Sequence, residues 1–171
     1  MLVFHILSLI LPLLVTNVLH MFVVKYDYFS FAKYPISKSL FGSNKTYRGL
    51  LFISLFNILS FTLIKYLFFD TNIYYDLIII GFILGLSYSL AELPNSYLKR
   101  RLGISPGATS KKNKVIFMLL DKSDSALLSS IVYSLIYGLN LFEWLLLFYV
   151  SVLIHISISW LLVLSKIKKA F

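Results

Sequence analysis

The sequence predicts an all-α integral membrane protein of about five transmembrane helices joined by two long polar loops on the cytoplasmic side. Three observations carry that expectation. Of 171 residues, 59% are hydrophobic and only 13% charged, and the mean hydropathy is +0.86, far too apolar for an ordinary soluble domain. Apolar runs of ~20 residues, the length that crosses the hydrocarbon layer as a helix, recur along the chain. The basic residues are gathered into the segments between those runs. The length fits one domain over residues 1–171, with no internal repeat. The chain has no cysteine, which excludes disulfides, thiolate metal ligands and a thiol nucleophile, and leaves the redox compartment open.

The expected spans are 2–24, 49–69, 77–93, 115–137 and 144–164. The first lacks the basic start of a signal peptide and is too long for one, so it reads as a retained helix. The second opens after Asn44-Lys-Thr-Tyr-Arg-Gly49, where Thr46 or Asn44 can cap it. The third should end or kink near Leu93, because Pro94 lacks a backbone donor and disfavours helix at the residue before it. Asn95 and Ser96 then either satisfy the freed backbone groups or contact a ligand. The fourth carries Asp121 and Asp124, and the fifth closes the set.

Orientation follows from charge. Segment 25–48 holds Lys25, Lys33, Lys38, Lys45 and Arg48. Segment 94–114 holds Lys99, Arg100, Arg101, Lys111, Lys112 and Lys114, and the tail holds Lys166, Lys168 and Lys169. Those are fourteen of the sixteen basic residues; the opposite side has Asp70, Asp76 and Glu143, with Lys65 at its helix end. By the positive-inside pattern both long loops and the C-terminus are cytoplasmic and the N-terminus lies outside. A net charge of +9 could suggest nucleic acid, but cations confined to loops between spans suit lipid or nucleotide phosphates instead. No nucleic-acid partner is expected.

The chemistry-bearing residues concentrate between Glu92 and Asp124. Asp121 and Asp124 are three apart and share a helix face, ~9 Å into the fourth span at 1.5 Å per residue. Two acids so close repel unless a cation intervenes, and magnesium uses one or two carboxylates together with substrate phosphates. The plainer reading neutralises the pair with Lys122 or the preceding arginines. Lys99, Arg100 and Arg101 are either a membrane anchor or, beside Gly103, Pro106 and Gly107, a cradle for a triphosphate. Asn44, Lys45, Thr46 and Arg48 at the start of the second helix are either cap and anchor or a second phosphate site. Asn17 within the first span and Glu92 near the end of the third are cavity candidates, since an ionisable group inside the membrane needs a partner. His5, His20 and His155 are isolated and read as packed or interfacial. There is no Ser-His-Asp arrangement, P-loop or glycine-rich dinucleotide fingerprint.

Together these residues resemble a known family. Ser96-Tyr-Leu-Lys99-Arg100-Arg101-Leu-Gly-Ile-Ser-Pro106-Gly107, followed by Asp121-Lys-Ser-Asp124, is similar to CDP-archaeol synthase and its bacterial relatives, which belong with the broader phosphatidate cytidylyltransferases. Asn44-Lys-Thr-Tyr-Arg-Gly-Leu50 matches that family's Lys-Thr-x-Arg-Gly element, and Pro12 and Asn17 fit its opening pattern more loosely. The resemblance implies a magnesium-requiring transfer of the cytidylyl group of CTP to a phosphorylated glycerolipid. It implies magnesium on Asp121 and Asp124, nucleotide phosphate near Ser96, Lys99 and Arg100, and a polar cavity with Lys45, Thr46 and Arg48. Lys122 departs from the pattern, standing where archaeal members usually have an uncharged polar residue. A CDP-alcohol phosphotransferase would need a longer series of aspartates than Asp121 and Asp124 provide. The rival of another class is a non-enzymatic lipid-handling protein or complex subunit, for which loops and aspartates are structural.

Overall fold

The computed structural model describes residues 2–69, 74–108 and 114–165. Lys111, Lys112, Asp70, Lys166, Lys168 and Lys169, which enter the charge argument, lie outside them. The described residues form five long helices: α1 Leu2–Lys25, α2 Tyr47–Phe69, α3 Tyr74–Arg101, α4 Lys114–Tyr137 and α5 Leu141–Leu164. A short 3-10 turn spans Ser30–Ala32. Each helix packs on the next in sequence and α5 returns to α1, so the five close into a ring.

Four of them, α1, α2, α3 and α5, are long and apolar enough to cross a membrane. Their outward faces are apolar as well. On α2, Leu51, Leu55, Leu59 and Leu63 repeat at four-residue spacing and all are exposed, the pattern of a helix with lipid rather than water outside. The helix α4 has the length, at 24 residues, but Asp121, Lys122 and Asp124 interrupt its apolar run. The expected fourth span is therefore the helix that carries the charged cluster.

Between apolar helices the hydrophobic effect contributes little, and close backbone approach and internal hydrogen bonds do more. The α2–α3 contact shows both. A Cβ added at Gly85 would stand 2.8 Å from the Asn57 Cβ and 2.8 Å from the Ser54 Cα, and one at Gly81 would stand 2.9 Å from the Ile58 Cα. Asn57, fully buried, donates to the Gly81 carbonyl at 2.8 Å and accepts from the Thr16 hydroxyl at 3.3 Å, tying α1, α2 and α3 together. Around it sit Leu9, Leu13, Ile53, Phe61, Leu84 and Tyr133. The turn into α5 uses Gly138 at φ 64° and a capping box between Asn140 and Glu143, which satisfies the first free amides.

One expectation is corrected. The third helix neither ends at Leu93 nor yields a loop from residue 94; it continues through Pro94 to Arg101. Proline removes one hydrogen bond and crowds the turn before it. Side-chain contacts from Asn95 and Lys99 to α4 hold the next two turns in place against that cost. The second polar loop consequently begins at Leu102, where Gly103 at φ 70° stops the helix.

Gly85→Ala should place a methyl group against the α2 backbone, where neither side can yield. Overpacking of this kind costs about 1–3 kcal/mol. The detergent-solubilised variant is expected to melt several degrees below the parent, read by intrinsic fluorescence. Unchanged melting would contradict the close α2–α3 packing.

Candidate functional site

Helix α3 brings Glu92, Asn95 and Lys99 to α4 because the intervals of three and four residues keep them on one face. On α4, Asp121 and Asp124 share a face for the same reason. Asn95 lies between the acids: its Nδ2 donates to Asp121 Oδ1 at 2.6 Å and to Asp124 Oδ2 at 3.0 Å. The Lys99 ammonium sits on both Asp121 oxygens at 2.5 Å and is itself 8% exposed. Ser125 continues the chain, its hydroxyl lying 3.3 Å from Asp124 Oδ1 and 3.4 Å from Glu92 Oε1. Glu92 in turn pairs with Lys45 from the loop before α2. Seven side chains from three segments thus form one connected polar strip along the basic end of the bundle.

The loop reaches this strip because its ends are stitched. Ile36 N donates to the Lys45 carbonyl and Tyr47 N to the Tyr34 carbonyl, both at 2.9 Å, forming an isolated antiparallel bridge between Pro35 and Thr46. Thr46 caps α2 by accepting from Gly49 N at 3.3 Å. Burial would lower the Lys45 ammonium, but the charge and hydrogen bond of Glu92 outweigh it and raise its pKa above the ordinary value. Lys45 is therefore a firmly charged cation at neutral pH. Gly42 at φ 90° meets Pro106 across the two polar loops, with only 3.0 Å for an added Cβ.

Three polar groups near this strip are buried without a partner: Asn95 Oδ1, Arg100 Nε and Arg100 Nη1. A buried unsatisfied group costs ~1–3 kcal/mol, so such groups mark where a ligand would be welcome. Free donors on a guanidinium suit a phosphate oxyanion, to which they give charge-assisted hydrogen bonds. The free Asn95 oxygen, beside two carboxylates, matches a hard cation such as magnesium, which takes oxygen ligands. Among the described residues no group of three His, Cys, Asp or Glu is gathered to hold a metal. The available donors are the two aspartates and an amide oxygen.

Other candidates go elsewhere. Arg48 is buried, but its Nη1 donates to Asp27 Oδ1 at 2.7 Å and to the Tyr28 carbonyl at 3.0 Å. Lys33 joins Asp27 at 2.8 Å. Hydrogen bonds from Lys33 and then Arg48 hold the Asp27 carboxyl below its usual range. Arg48 thereby fastens the loop, whose Asp27 and Phe29 both adopt left-handed backbone and whose Phe29 stacks on Phe52 at 4.2 Å. Arg101 bonds to the Tyr97 hydroxyl at 2.9 Å and lies over that ring, on the exposed side of α3. Asn44 is exposed beside Gly42, Ser96 is buried on α3, and Asn17 lines an apolar pocket within the ring. Lys122 is buried rather than turned into solvent.

The sequence reading passed over His20, Ser125 and Tyr88. His20 lies across Gly49, 3.6 Å from where a Cβ would be, within the field of Glu92, Arg48 and Lys45. A signal existed: Thr16, Asn17 and His20 form a polar stripe at three- and four-residue spacing in the second half of α1. His155, expected to be isolated, stands 3.5 Å from the Tyr88 hydroxyl.

The whole chain, residues 1–171, matches the family model described as CarS-like, CDP-archaeol synthase. The chain belongs to that family. Its members are cytidylyltransferases, and the resemblance seen in the Lys-Arg-Arg and paired-aspartate motifs extends over the full length. No curated protein and no solved structure matches the chain.

Arg48→Ala should release the loop rather than erase a ligand contact. Trypsin is expected to cut after Lys33 severalfold faster in the variant, because charge-assisted bonds to a buried guanidinium are among the stronger ones. Cleavage at the parent rate would mean that Arg48 does not fasten the loop.

Proposed function

We propose that this protein transfers the cytidylyl group of CTP to a phosphorylated glycerolipid, giving a CDP-lipid and pyrophosphate at the cytoplasmic face of the membrane. Membership of the CDP-archaeol synthase family supports the reaction class. The observation that carries the assignment to this site is the connected strip Lys45, Glu92, Ser125, Asp124, Asn95, Asp121 and Lys99. Acids able to hold a divalent cation and bases able to hold phosphates meet there at one end of an apolar bundle. The unpartnered polar atoms of Arg100 and Asn95 beside the strip support this reading.

In this reading an oxygen of the lipid phosphate attacks the α-phosphorus of CTP. The bond from that phosphorus to the bridging oxygen breaks, and pyrophosphate leaves with the electron pair. A phosphate monoester is already nucleophilic, so no protein nucleophile is needed, and positioning with charge neutralisation does most of the work. Arg100 offers paired donors to the nucleotide phosphates. Lys99 and Lys45 balance further charge in surroundings where it counts for more than in water. Glu92 and Ser125 hold Lys45 and Asp124 in place. Magnesium, when bound by Asp121 and Asp124 with the Asn95 oxygen, would supply Lewis acidity toward the phosphoryl oxygens. The basic end of the bundle is assigned to the cytoplasm by its loop charges, which is also where CTP is found.

The test uses purified protein, CTP labelled at the α-phosphorus, magnesium and a panel of ether- and ester-linked lipid phosphates. Label should move into the lipid phase with release of pyrophosphate. Asp121→Asn and Asp124→Asn should each lower kcat by about 10²–10³, the scale of losing a preorganised electrostatic contact. Arg100→Lys should also be impaired, since lysine does not replace a two-pronged contact. Lys38→Ala should keep full turnover. Wild-type turnover in both aspartate variants would remove the metal assignment and leave the acid pair a structural role. No transfer by the parent protein with any lipid phosphate would favour the non-enzymatic alternative.

A further inference from the structure

Beneath the polar strip lies an apolar pocket enclosed by α1, α3, α4 and α5, with a total empty volume of about 410 Å³ including its open side. Ile10, Leu13 and Leu14 wall it on α1, Ile154 and Ile158 on α5, and Ala126 on α4. Its serines do not make it polar. The Ser129 hydroxyl is spent on the Ser125 carbonyl at 2.6 Å and the Ser151 hydroxyl on the Leu147 carbonyl at 2.7 Å. Apart from Asn17, Tyr88 and His155, carbon is what faces the space.

The pocket adjoins the site through Tyr88 and Ala126, both of which line it; Ser125, next to Ala126, contacts both Asp124 and Glu92. Tyr88 lies one helical turn from Glu92, and Ala126 lies two residues from Asp124. Counted from the basic helix ends at ~1.5 Å per residue, the acids lie ~10–15 Å deep and the pocket residues ~10–22 Å deep. A molecule with its phosphate at the strip would extend its apolar part into this space.

We propose that the pocket seats the glycerol-proximal part of one hydrocarbon chain of the lipid phosphate. The proposal rests on reading the strip as the lipid-phosphate site and adds where the substrate's tail goes. Along α1 the wall runs from Ile10 to Asn17, and along α5 from Ser151 to Ile158, each ~10 Å. That length accepts the first part of a chain and leaves the remainder to the bilayer. A seat of this kind holds the phosphate at a fixed height against CTP, as positioning catalysis requires.

Photo-crosslinking tests the seat without depending on turnover. Phosphatidic acid carrying a diazirine within the first few carbons of the chain from the glycerol is irradiated with the purified full-length protein, with an ether-linked counterpart as a second arm, and adducts are mapped by peptide mass spectrometry. Adducts should concentrate within residues 10–17 and 151–158. Unlabelled phosphatidic acid should suppress them about tenfold, a difference of ~1.4 kcal/mol, and phosphatidylcholine should not. Ser151→Phe and, independently, Leu14→Trp should reduce them comparably, each checked for an unchanged elution profile; the competition arm needs no variant. Adducts spread over the outer face at Leu51, Leu55 and Leu59, or equal suppression by phosphatidylcholine, would overturn the seat. Pocket labelling in a protein that does not consume CTP would leave the seat standing and remove the transfer reaction. CTP transfer with an unchanged lipid KM in both pocket variants would remove the seat and keep the reaction.

Discussion

Asn95 sits between Asp121 and Asp124, and the rest of the site depends on that placement. In an apolar bundle a charged side chain has no water to turn to, so it must find a protein partner or a ligand. By donating to both acids, Asn95 fixes the register of α3 against α4. Lys99, one turn further on, adds its charge to Asp121. The same contacts accompany the continuation of α3 two turns beyond Pro94 to half-buried Arg100. Without them, the proline would leave the basic stretch as loop.

The second polar segment is held by a separate device. Arg48, Asp27 and Lys33 fasten the loop after α1, and the Pro35–Thr46 bridge fixes its return. Lys45 is thereby presented to Glu92 from the start of the neighbouring α2. Acid and base arrive from different helices, so neither neutralises the other wholly, and polar atoms remain available. Unpartnered polar atoms on Asn95 and Arg100 support the proposed ligand role of the strip. The apolar pocket below it continues the same logic into the hydrocarbon layer, where shape replaces charge.

Much of this was legible in the sequence, for physical reasons. Long apolar runs have few structural options in a membrane, so the five helices and their order followed from composition. The interval of three residues placed Asp121 with Asp124 on a common face, and the paired aspartates and basic stretch pointed to phosphate and metal. That Asn95 and Lys99 share the α3 face of Glu92 was hidden by the expectation that the helix ends near Leu93. Tertiary choices were not legible. Pro94 was read by its local cost, and local cost lost to contacts with α4. Arg48 was read by its neighbours Lys45 and Thr46, yet its partner Asp27 lies twenty-one residues earlier, beyond any periodic signal. His155 looked isolated because Tyr88, sixty-seven residues away, becomes its neighbour only when α5 closes the ring on α1.

The central claim is that the α3–α4 polar strip binds a metal–nucleotide complex and is more than a staple between helices. The most direct measurement is the melting temperature of the purified protein with and without magnesium and CTP. A ligand that binds only the folded state stabilises it by about 2.7 kcal/mol at a hundredfold excess over Kd, a shift of several degrees. The account predicts that shift for the parent protein when magnesium and CTP are both present, and its loss in Asp121→Asn and Asp124→Asn even where the variants melt close to the parent. Parent protein that does not respond to magnesium and CTP, or variants that respond as fully as the parent, would contradict it.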